Sequence, residues 1–436
     1  MIIRAAKRIN GTLQVPGDKS ISHRASIVAA LAQGMSQVTN YSSSADCGAT
    51  LACLRQLGVR IEQDGSTLRI QGGGRGSWRV PASDLDCGNS GTTMRLLAGC
   101  LAGQNFAAVL NGDASLRSRP MQRVIEPLQM MGAQISAQDG HAPLTISGGH
   151  LLQAIDYELI VASAQVKSSI LLAGLGAHGR TAVIENEPTR DHTERMLSWF
   201  GAAIETGRAV REPQTARFAA VTGPADFSAR DFSVPGDISS AAYFVAAAAL
   251  IPGSSLEIRE AGLNPTRILF LREMQQRGFR LELEETAERC NEPIGTLRVI
   301  GGMDPPPSGS WTIEGLRVPQ LIDELPLLAV IGSQIEGGLE VRDARELRVK
   351  ESDRIATTVR NLSSMGAMVE EYEDGFGVRG PIKLQGARIA TRGDHRIAMA
   401  FSIAGLIAAG ETEIDDAACV AVSFPEFFSL LQSVVQ

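Results

Sequence analysis

The chain has 436 residues, 44% apolar and 20% charged, which is typical of a globular protein with two or three domains. Its net charge of −7 excludes an overall field that attracts nucleic acid, so an anionic substrate requires a local cluster of cations. The most apolar stretch, residues 241–251, is about half as long as a membrane span. The opening MIIRAAKRINGTLQV is strand-like and lacks an apolar signal core, so we expect a cytoplasmic protein that binds no membrane.

The six cysteines lie apart without a CxxC pair, and the six histidines lack a metal-ligand spacing such as HExxH. This pattern favours reduced, packed thiols over a disulfide framework. We therefore expect neither a disulfide nor a metal site.

The sequence contains a duplication. VPGDKSISHR begins at Val15 and VPGDISSAAY begins at Val234, and both continue through small and apolar residues to a glycine. Five stretches such as LRQLGVRIE lead from a helical pattern through a glycine into a strand pattern, as expected for a helix C′ residue with a left-handed backbone. Their glycines are Gly58, Gly132, Gly201, Gly278 and Gly366. The repeats predict an α/β protein of two similar lobes, 14–233 and 1–13 with 234–436, joined by a two-segment hinge near 12–16 and 229–236.

Cations and hydroxyl groups gather where helices are predicted to begin in the first half. Lys19, Ser20 and Arg24 follow Gly17–Asp18 at such a start, where backbone N–H groups and the helix dipole favour an anion. A simple N-cap is the usual interpretation of GDKS alone. The second VPGD copy keeps the capping residues but lacks the charges, which favours an anion site in the first copy.

Three further segments of this half show a similar pattern. DCGNSGTTMRL at 86–96 is a turn of small polar residues that exposes N–H groups to a ligand. GDASLRSRPM lies at 112–121, and SAQVKSS and TRDHT precede helices near 163 and 189. Their side chains of interest are Arg117, Arg119, Ser163, Gln165, Lys167, Ser168, Arg190, Asp191 and His192.

The second half adds acids to the cations. LIDELP places Asp323 and Glu324 in an apolar run, and two later helix starts carry Lys350, Glu351, Asp353, Arg354, Asp394, His395 and Arg396. Each segment alone fits a helix-terminal ion pair that contributes little stability. Together, the cations of both halves exceed what one phosphate requires and suit two small substrates with phosphate and carboxylate groups. We expect hinge closure to bring the two sets together.

These segments are similar in order and spacing to those of EPSP synthases, the 3-phosphoshikimate 1-carboxyvinyltransferases. The motifs are PGDKSISHR, GNSGTTMR, SRPM, SAQVKS, TRDHT, DELP, RVKESDR and DHRIAM, between about Leu13 and Phe427. The resemblance implies two globes of three βαβαββ units each. It also implies transfer of the enolpyruvyl group of phosphoenolpyruvate to the 5-hydroxyl of shikimate 3-phosphate through a tetrahedral intermediate, a step of chorismate and aromatic amino-acid biosynthesis. No metal or organic cofactor is implied, and we expect a monomer because the cleft lies within one chain.

The resemblance also implies roles for individual residues. Asp323 would accept the proton of the attacking hydroxyl, Glu351 would protonate the methylene carbon, and Lys19 would stabilise the departing phosphate, although either acid could act in more than one step. The residues implied for shikimate 3-phosphate are Lys19, Ser20, Arg24, Ser163, Ala164, Gln165, Asp323 and Lys350. Those implied for phosphoenolpyruvate are Lys19, Gly91, Arg119, Gln165, Arg354 and Arg396.

Two positions depart from the family pattern. Val422 lies two residues before the terminal FP, where many members have a lysine, so one phosphoenolpyruvate contact is missing or supplied elsewhere. Leu96 lies where many members have a proline. Because Gly91 is present, where an alanine would crowd glyphosate, we expect glyphosate to inhibit the chain, although Leu96 weakens that expectation.

Two other interpretations are disfavoured. A sister enzyme that enolpyruvylates a UDP-amino sugar has a related fold but carries a reactive cysteine where this chain has Ala114. A non-catalytic anion-binding homologue would keep the cations and lose the acids, whereas Asp323 and Glu351 are both present. Phosphate release with both substrates discriminates an enzyme from a binding protein.

Overall fold

The computed structural model describes residues 1–211, 214–304 and 311–436, which form two compact units. The N-terminal unit comprises Gly17–Val234 and Glu288–Glu292, and the C-terminal unit comprises Met1–Pro16, Pro235–Ala287 and Pro293–Gln436. Each unit has its own hydrophobic core. Within the described ranges, every helix is too short or too polar to cross a bilayer.

The chain begins with two strands of the C-terminal unit, β1 (Ile2–Arg4) and β2 (Asn10–Gln14). The elements of the N-terminal unit follow: α1 (Lys19–Leu31), β3 (Gln33–Thr39), α2 (Ala45–Gln56), β4 (Arg60–Asp64), β5 (Thr67–Gly73), β6 (Leu85–Asp86), α3 (Gly91–Leu101), β7 (Ala108–Asn111), α4 (Ala114–Arg117), α5 (Gln122–Met130), β8 (Gln134–Gln138), β9 (His141–Ser147), β10 (Asp156–Glu158), α6 (Ala164–Gly174), β11 (Gly179–Glu185), α7 (His192–Trp199), β12 (Ile204–Arg211), β13 (Gln214–Gly223) and β14 (Phe232–Ser233). They build three four-stranded sheets, β14–β3–β5–β4, β6–β7–β9–β8 and β10–β11–β13–β12. In each sheet the first pair is parallel and the next two pairs are antiparallel.

The remaining elements belong to the C-terminal unit, except that the end of β16 and the first residue of β17 lie within Glu288–Glu292. These elements are α8 (Ile238–Leu250), β15 (Ser255–Gly262), α9 (Leu269–Gln276), β16 (Phe279–Arg289), β17 (Glu292–Met303), β18 (Trp311–Ile313), α10 (Val318–Leu321), α11 (Leu325–Gly332), β19 (Leu339–Val341), α12 (Arg354–Ser364), β20 (Val369–Tyr372), β21 (Gly375–Val378), β22 (Arg388–Ile389), α13 (His395–Ile407), β23 (Glu411–Ile414) and α14 (Phe427–Val434). Their sheets are β16–β17–β15–β2, β18–β19–β21–β20 and β1–β23–β22. Strand β2 is parallel to β15, and β1 is antiparallel to β23. The six related sheets confirm the predicted α/β fold with three repeats in each domain, and the sixth repeat is shortened to a three-stranded sheet.

Five helices end as the sequence predicts. Gly58, Gly132, Gly201, Gly278 and Gly366 directly follow the C-cap residues of α2, α5, α7, α9 and α12. Their φ angles lie between 83° and 98°, a backbone conformation in which a side chain is strained. The glycines therefore set the point at which each of these helices turns into the following strand, and the prediction is confirmed.

Three helices in each unit are buried on all sides: α1, α3 and α6 in the N-terminal unit, and α8, α11 and α13 in the C-terminal unit. Within each unit these helices contact one another. Small residues permit the close approach, since a Cβ at Gly99 of α3 would lie 2.2 Å from the carbonyl oxygen of Ser169 in α6. The first turns of these helices, where the sequence predicts functional residues, are therefore held by packing.

Candidate functional site

In the N-terminal unit, two arginines and three hydroxyl groups meet beside the first turn of α1. Arg24 is 3% exposed and donates from Nε to Thr193 Oγ1 at 2.7 Å and from Nη2 to Ser168 Oγ at 2.9 Å. Arg190 donates from Nη1 to Ser20 Oγ at 3.2 Å. Guanidinium groups flanked by hydroxyl groups are the donors that a phosphate prefers.

A second group of polar side chains surrounds the first turns of α3 and α6. Arg95 donates from Nη1 to Gln165 Oε1 at 2.7 Å, and the Gln165 amide donates to Thr92 Oγ1 at 2.8 Å. Arg119 donates from Nη2 to Asn89 Oδ1 at 2.6 Å. Both arginines are 8% exposed, so their positive charges lie largely out of water and interact strongly with an anion.

Gly91, the first residue of α3, leaves room for these guanidinium groups. A Cβ at this position would lie 2.6 Å from Nη1 of Arg95 and 3.7 Å from Nη1 of Arg119. Any side chain at Gly91 therefore displaces Arg95, which holds Gln165.

Lys19, the first residue of α1, is held by an acid of the same unit. Its Nζ lies 3.0 Å from Oδ2 of Asp46, and both side chains are mostly buried. Burial, followed by the charges of Lys19 and Arg24, holds the pKa of nearby His23 well below its ordinary value, so this imidazole is neutral. Burial also raises the pKa of Cys47 to about 12, so this neighbour is a thiol and not a nucleophile.

In the C-terminal unit, the buried Arg354 links three carboxylates. Its Nε donates to Asp394 Oδ2 at 2.8 Å, and its Nη2 donates to Glu351 Oε2 at 2.6 Å. Its Nη1 lies 3.7 Å from Asp323 Oδ1. Burial alone would lower the pKa of Arg354, but Asp394 and Glu351 outweigh burial and raise it. The guanidinium is therefore a permanent cation between two acids that remain partly accessible.

Arg396 is a buried cation with weaker contacts. Its Nη2 lies 3.8 Å from Asp323 Oδ2, and its Nη1 donates to the Tyr243 hydroxyl at 3.5 Å. Burial raises the pKa of Tyr243 to about 12, so this partner is a neutral phenol. Among the described residues, Nε of Arg396 is buried without a hydrogen-bond partner. A buried guanidinium with unused donors is suited to bind an anion.

The remaining predicted positions contribute in different ways. Ser163 caps α6 by accepting a hydrogen bond from the backbone N–H of Val166, and Ala164 begins that helix. Lys350 pairs with Glu346 at 2.9 Å. Val422 ends a short 3₁₀ turn and offers no charge. In the described part of the chain, no cluster of three or more His, Cys, Asp or Glu side chains has the arrangement of a metal site.

Comparison with known proteins identifies the family. The family model described as EPSP synthase (3-phosphoshikimate 1-carboxyvinyltransferase) matches residues 3–431. The chain belongs to the EPSP synthase family. It is 48% identical over 435 residues to the 3-phosphoshikimate 1-carboxyvinyltransferase of Koribacter versatilis, covering 100% of this chain and 99% of the relative. The enzyme of the same name from Desulfitobacterium hafniense (strain DSM 10664 / DCB-2) is 48% identical over 431 residues, with coverages of 98% and 96%.

The fold agrees with this membership. A solved EPSP synthase from Acinetobacter baumannii superposes with a TM-score of 0.85 at 40% identity, covering 100% of this chain and 97% of the other. A second EPSP synthase structure from the same organism gives a TM-score of 0.84 at 39% identity. The sequence prediction of the family is therefore confirmed.

Several polar residues of this EPSP synthase family member were not singled out as binding residues by sequence. Arg190 contacts Ser20, and Ser168 and Thr193 contact Arg24. The sequence pattern marked Arg190 and Ser168 at helix starts without assigning either to a substrate, and it did not mark Thr193. Arg95 follows Gly91 by one helical turn, and this i, i+4 spacing is the signal that would have indicated their proximity. Asp46 is recognised only from the fold, since its sequence neighbours carry no comparable charge.

Proposed function

We propose that this chain transfers the enolpyruvyl group of phosphoenolpyruvate to the 5-hydroxyl of shikimate 3-phosphate and releases phosphate. The observation that carries the proposal is the buried guanidinium of Arg354, which contacts both Glu351 and Asp323. The reaction removes a proton from a hydroxyl and adds one to an enol carbon, so it requires two groups with separate acid and base roles. In this family member both acids contact the same buried arginine side chain.

Shikimate 3-phosphate is proposed to bind mainly through its phosphate group. Arg24 and Arg190, with the hydroxyl groups of Ser20, Ser168 and Thr193, provide charge-assisted hydrogen bonds, each contributing about 1.5–3 kcal/mol. The other proposed contacts to this substrate are Lys19, Ser163, Ala164, Gln165, Asp323 and Lys350. Because Lys350 pairs with Glu346 in this structure, its contribution requires exchange of one ion pair for another.

Phosphoenolpyruvate is proposed to bind mainly through cations, some at helix N-termini and some next to the proposed catalytic acids. The proposed contacts are Lys19, Gly91, Arg119, Gln165, Arg354 and Arg396. Arg396 supports the proposal most directly, because its buried Nε is without a hydrogen-bond partner in the described ranges. A substrate carboxylate would accept a hydrogen bond from this Nε, whereas Asp323 lies 3.8 Å from Nη2.

The chemistry follows from the separate environments of the acids. Glu351 gives a proton to the methylene carbon of phosphoenolpyruvate, and Asp323 accepts the proton of the attacking hydroxyl. In the resulting tetrahedral intermediate, the new methyl group returns a proton to the Glu351 carboxylate as the C–O bond to phosphate breaks, which restores the carbon–carbon double bond. The proton taken up by Asp323 passes to the departing phosphate, whose charge the Lys19 ammonium stabilises. Side-chain acids, bases and cations account for every proton and charge in this sequence of steps. The proposal therefore includes neither a metal nor an organic cofactor, and one chain acting as a monomer supplies every residue.

Phosphate release tests the proposed function. With both substrates, the chain is expected to release one phosphate per transferred enolpyruvyl group, as followed by a coupled phosphate assay. Glu351→Gln is expected to lower kcat about 10²–10⁴-fold, because an amide cannot supply the proton. The exposed Glu336→Gln is the matched control and should retain full activity. Calorimetric binding of both substrates without phosphate release by the unaltered chain would identify a binding protein instead.

Gly91→Ala is expected to weaken inhibition by glyphosate at least as much as it weakens the binding of phosphoenolpyruvate. The added methyl would displace Nη1 of Arg95, and overpacking of this kind costs about 1–3 kcal/mol, so KM for phosphoenolpyruvate should rise about tenfold. Inhibition by glyphosate, expected of the unaltered chain, should weaken by at least the same factor. Gly76→Ala is the control, since its Cβ would enter open space. Equal inhibition curves for Gly91→Ala and the unaltered chain would contradict this expectation.

A further inference from the structure

Glu324 follows Asp323 directly, but its side chain has different partners. Asp323 faces two arginines, whereas Glu324 Oε1 accepts a hydrogen bond from Ser239 Oγ in the first turn of α8. Ser239 Oγ accepts a further hydrogen bond from Arg267 Nη2 at 2.8 Å. Glu324 is 7% exposed and is also the N-cap residue of α11. The buried Glu324 carboxylate therefore connects the segment that contains Asp323 to α8.

We propose that Glu324 is a positioning residue for Asp323, which fixes the segment through Ser239 and places a negative charge beside the proton acceptor. This inference rests on the proposed function, in which Asp323 takes the proton of the substrate hydroxyl. Glu324 itself touches neither substrate in the proposal. It acts through the location and the charge environment of its neighbour.

The charge balance explains why a second carboxylate is useful at this place. Asp323 lies 3.7 Å from Arg354 and 3.8 Å from Arg396, and two cations at such distances weaken a carboxylate as a base. The negative charge of Glu324 opposes them. The interaction is mutual: burial first, and then Asp323, raise the pKa of Glu324, while Arg396 and Arg267 act in the opposite direction.

Charged and titratable groups approach this pair from every neighbouring element of the C-terminal unit. Asp237 caps α8 and lies 3.7 Å from Arg267, and Tyr243 lies on α8 six residues after Asp237. Glu351 and Arg354 approach from the start of α12, and Arg396 from α13. Of the acids in this group, Glu324 is the one adjacent to Asp323 in the chain. Changing it alters the surroundings of Asp323 without touching a proposed substrate contact.

Two substitutions separate the charge from the hydrogen bond. Glu324→Gln keeps an oxygen that accepts from Ser239 but removes the charge, so the acidic limb of the kcat/KM profile against pH should move about one unit lower. Ser239→Ala keeps the charge but removes the tether, so kcat should fall about tenfold or more with the acidic limb in place. Glu336→Gln is the surface control for the loss of one carboxylate.

Removing a cation instead of an anion should shift the acidic limb in the opposite direction. Arg267→Met removes the cation that donates to Ser239 and whose charge acts on Glu324, so the acidic limb should move to higher pH. This variant carries the test if Glu324→Gln does not fold by circular dichroism. Acidic limbs of Glu324→Gln and Arg267→Met that coincide with that of the unaltered chain would overturn the inference. Full activity of Asp323→Asn would instead end the proposed role of Asp323 as proton acceptor, and absence of phosphate release by the unaltered chain would end the proposed function, so these failures are distinguishable.

Discussion

Asp323→Asn is expected to lower kcat about 10²–10⁴-fold, the effect typical of losing a positioned proton acceptor. Asparagine has nearly the same shape, but its amide does not accept a proton from the substrate hydroxyl at neutral pH. The two arginine contacts of Asp323 are long, at 3.7 and 3.8 Å, so their loss should disturb the C-terminal unit little. Single-turnover formation of product measures the loss directly, separated from product release.

The control for this substitution is an aspartate on the surface of the same unit. Asp304 has a side chain 60% exposed and pairs with Arg280, so Asp304→Asn should leave kcat unchanged. Binding of shikimate 3-phosphate to Asp323→Asn, measured by calorimetry, should stay within about tenfold, because the phosphate contacts lie elsewhere. A large loss of binding with normal single-turnover kinetics would reassign Asp323 from base to substrate ligand.

Lys167→Met is expected to lower the free energy of unfolding by about 3–5 kcal/mol. Lys167 is fully buried in α6, and its Nζ lies 2.6 Å from Glu194 Oε1 and 3.1 Å from Glu185 Oε2. Burial alone would lower the pKa of Lys167, but the two glutamates outweigh burial and raise it. Its stabilising charge is therefore fully present at neutral pH and is lost only in alkaline solution above the ordinary lysine range. Urea unfolding at neutral pH measures the change.

Partial rescue distinguishes lost pairing from lost packing. Methionine fills nearly the same volume, so the cost in Lys167→Met comes from two buried carboxylates without their cation. Adding Glu194→Gln to Lys167→Met should recover part of the stability, because one of these charges is removed. Lys383→Met, at an exposed lysine, should change stability by less than about 0.5 kcal/mol. A double variant no more stable than Lys167→Met would contradict the electrostatic explanation.

The repeat architecture was predictable because its signals are local. A glycine at a helix C′ position imposes a left-handed backbone that the sequence pattern reveals, and Gly58 and Gly366 behave alike although they lie in different units. The shortened sixth repeat was less visible. Its third strand, β1, comes from the other end of the chain, and pairing over such a distance leaves no local pattern.

The polar sites were predictable only in part, for a related reason. Lys19 and Arg24 were marked by the asymmetry between the two VPGD copies, which compares residues within short segments. The hydrogen bond from Arg24 to Thr193 joins residues 169 positions apart, and the one from Ser239 to Glu324 joins residues 85 apart. Such pairs depend on which helix N-termini are brought together by packing. Neither composition nor motif spacing indicates which ones these are.

The strand pairing of β1 and β2 has a consequence for biosynthesis. Both strands are synthesised before the N-terminal unit, yet β2 pairs with β15 and β1 pairs with β23, which is made some 400 residues after β1. The three sheets of the N-terminal unit need only residues up to Ser233, so they can form while the opening segment still lacks its neighbours. The edges of β1 and β2 therefore stay unpaired while the N-terminal unit is synthesised, until β15 and β23 have emerged from the ribosome.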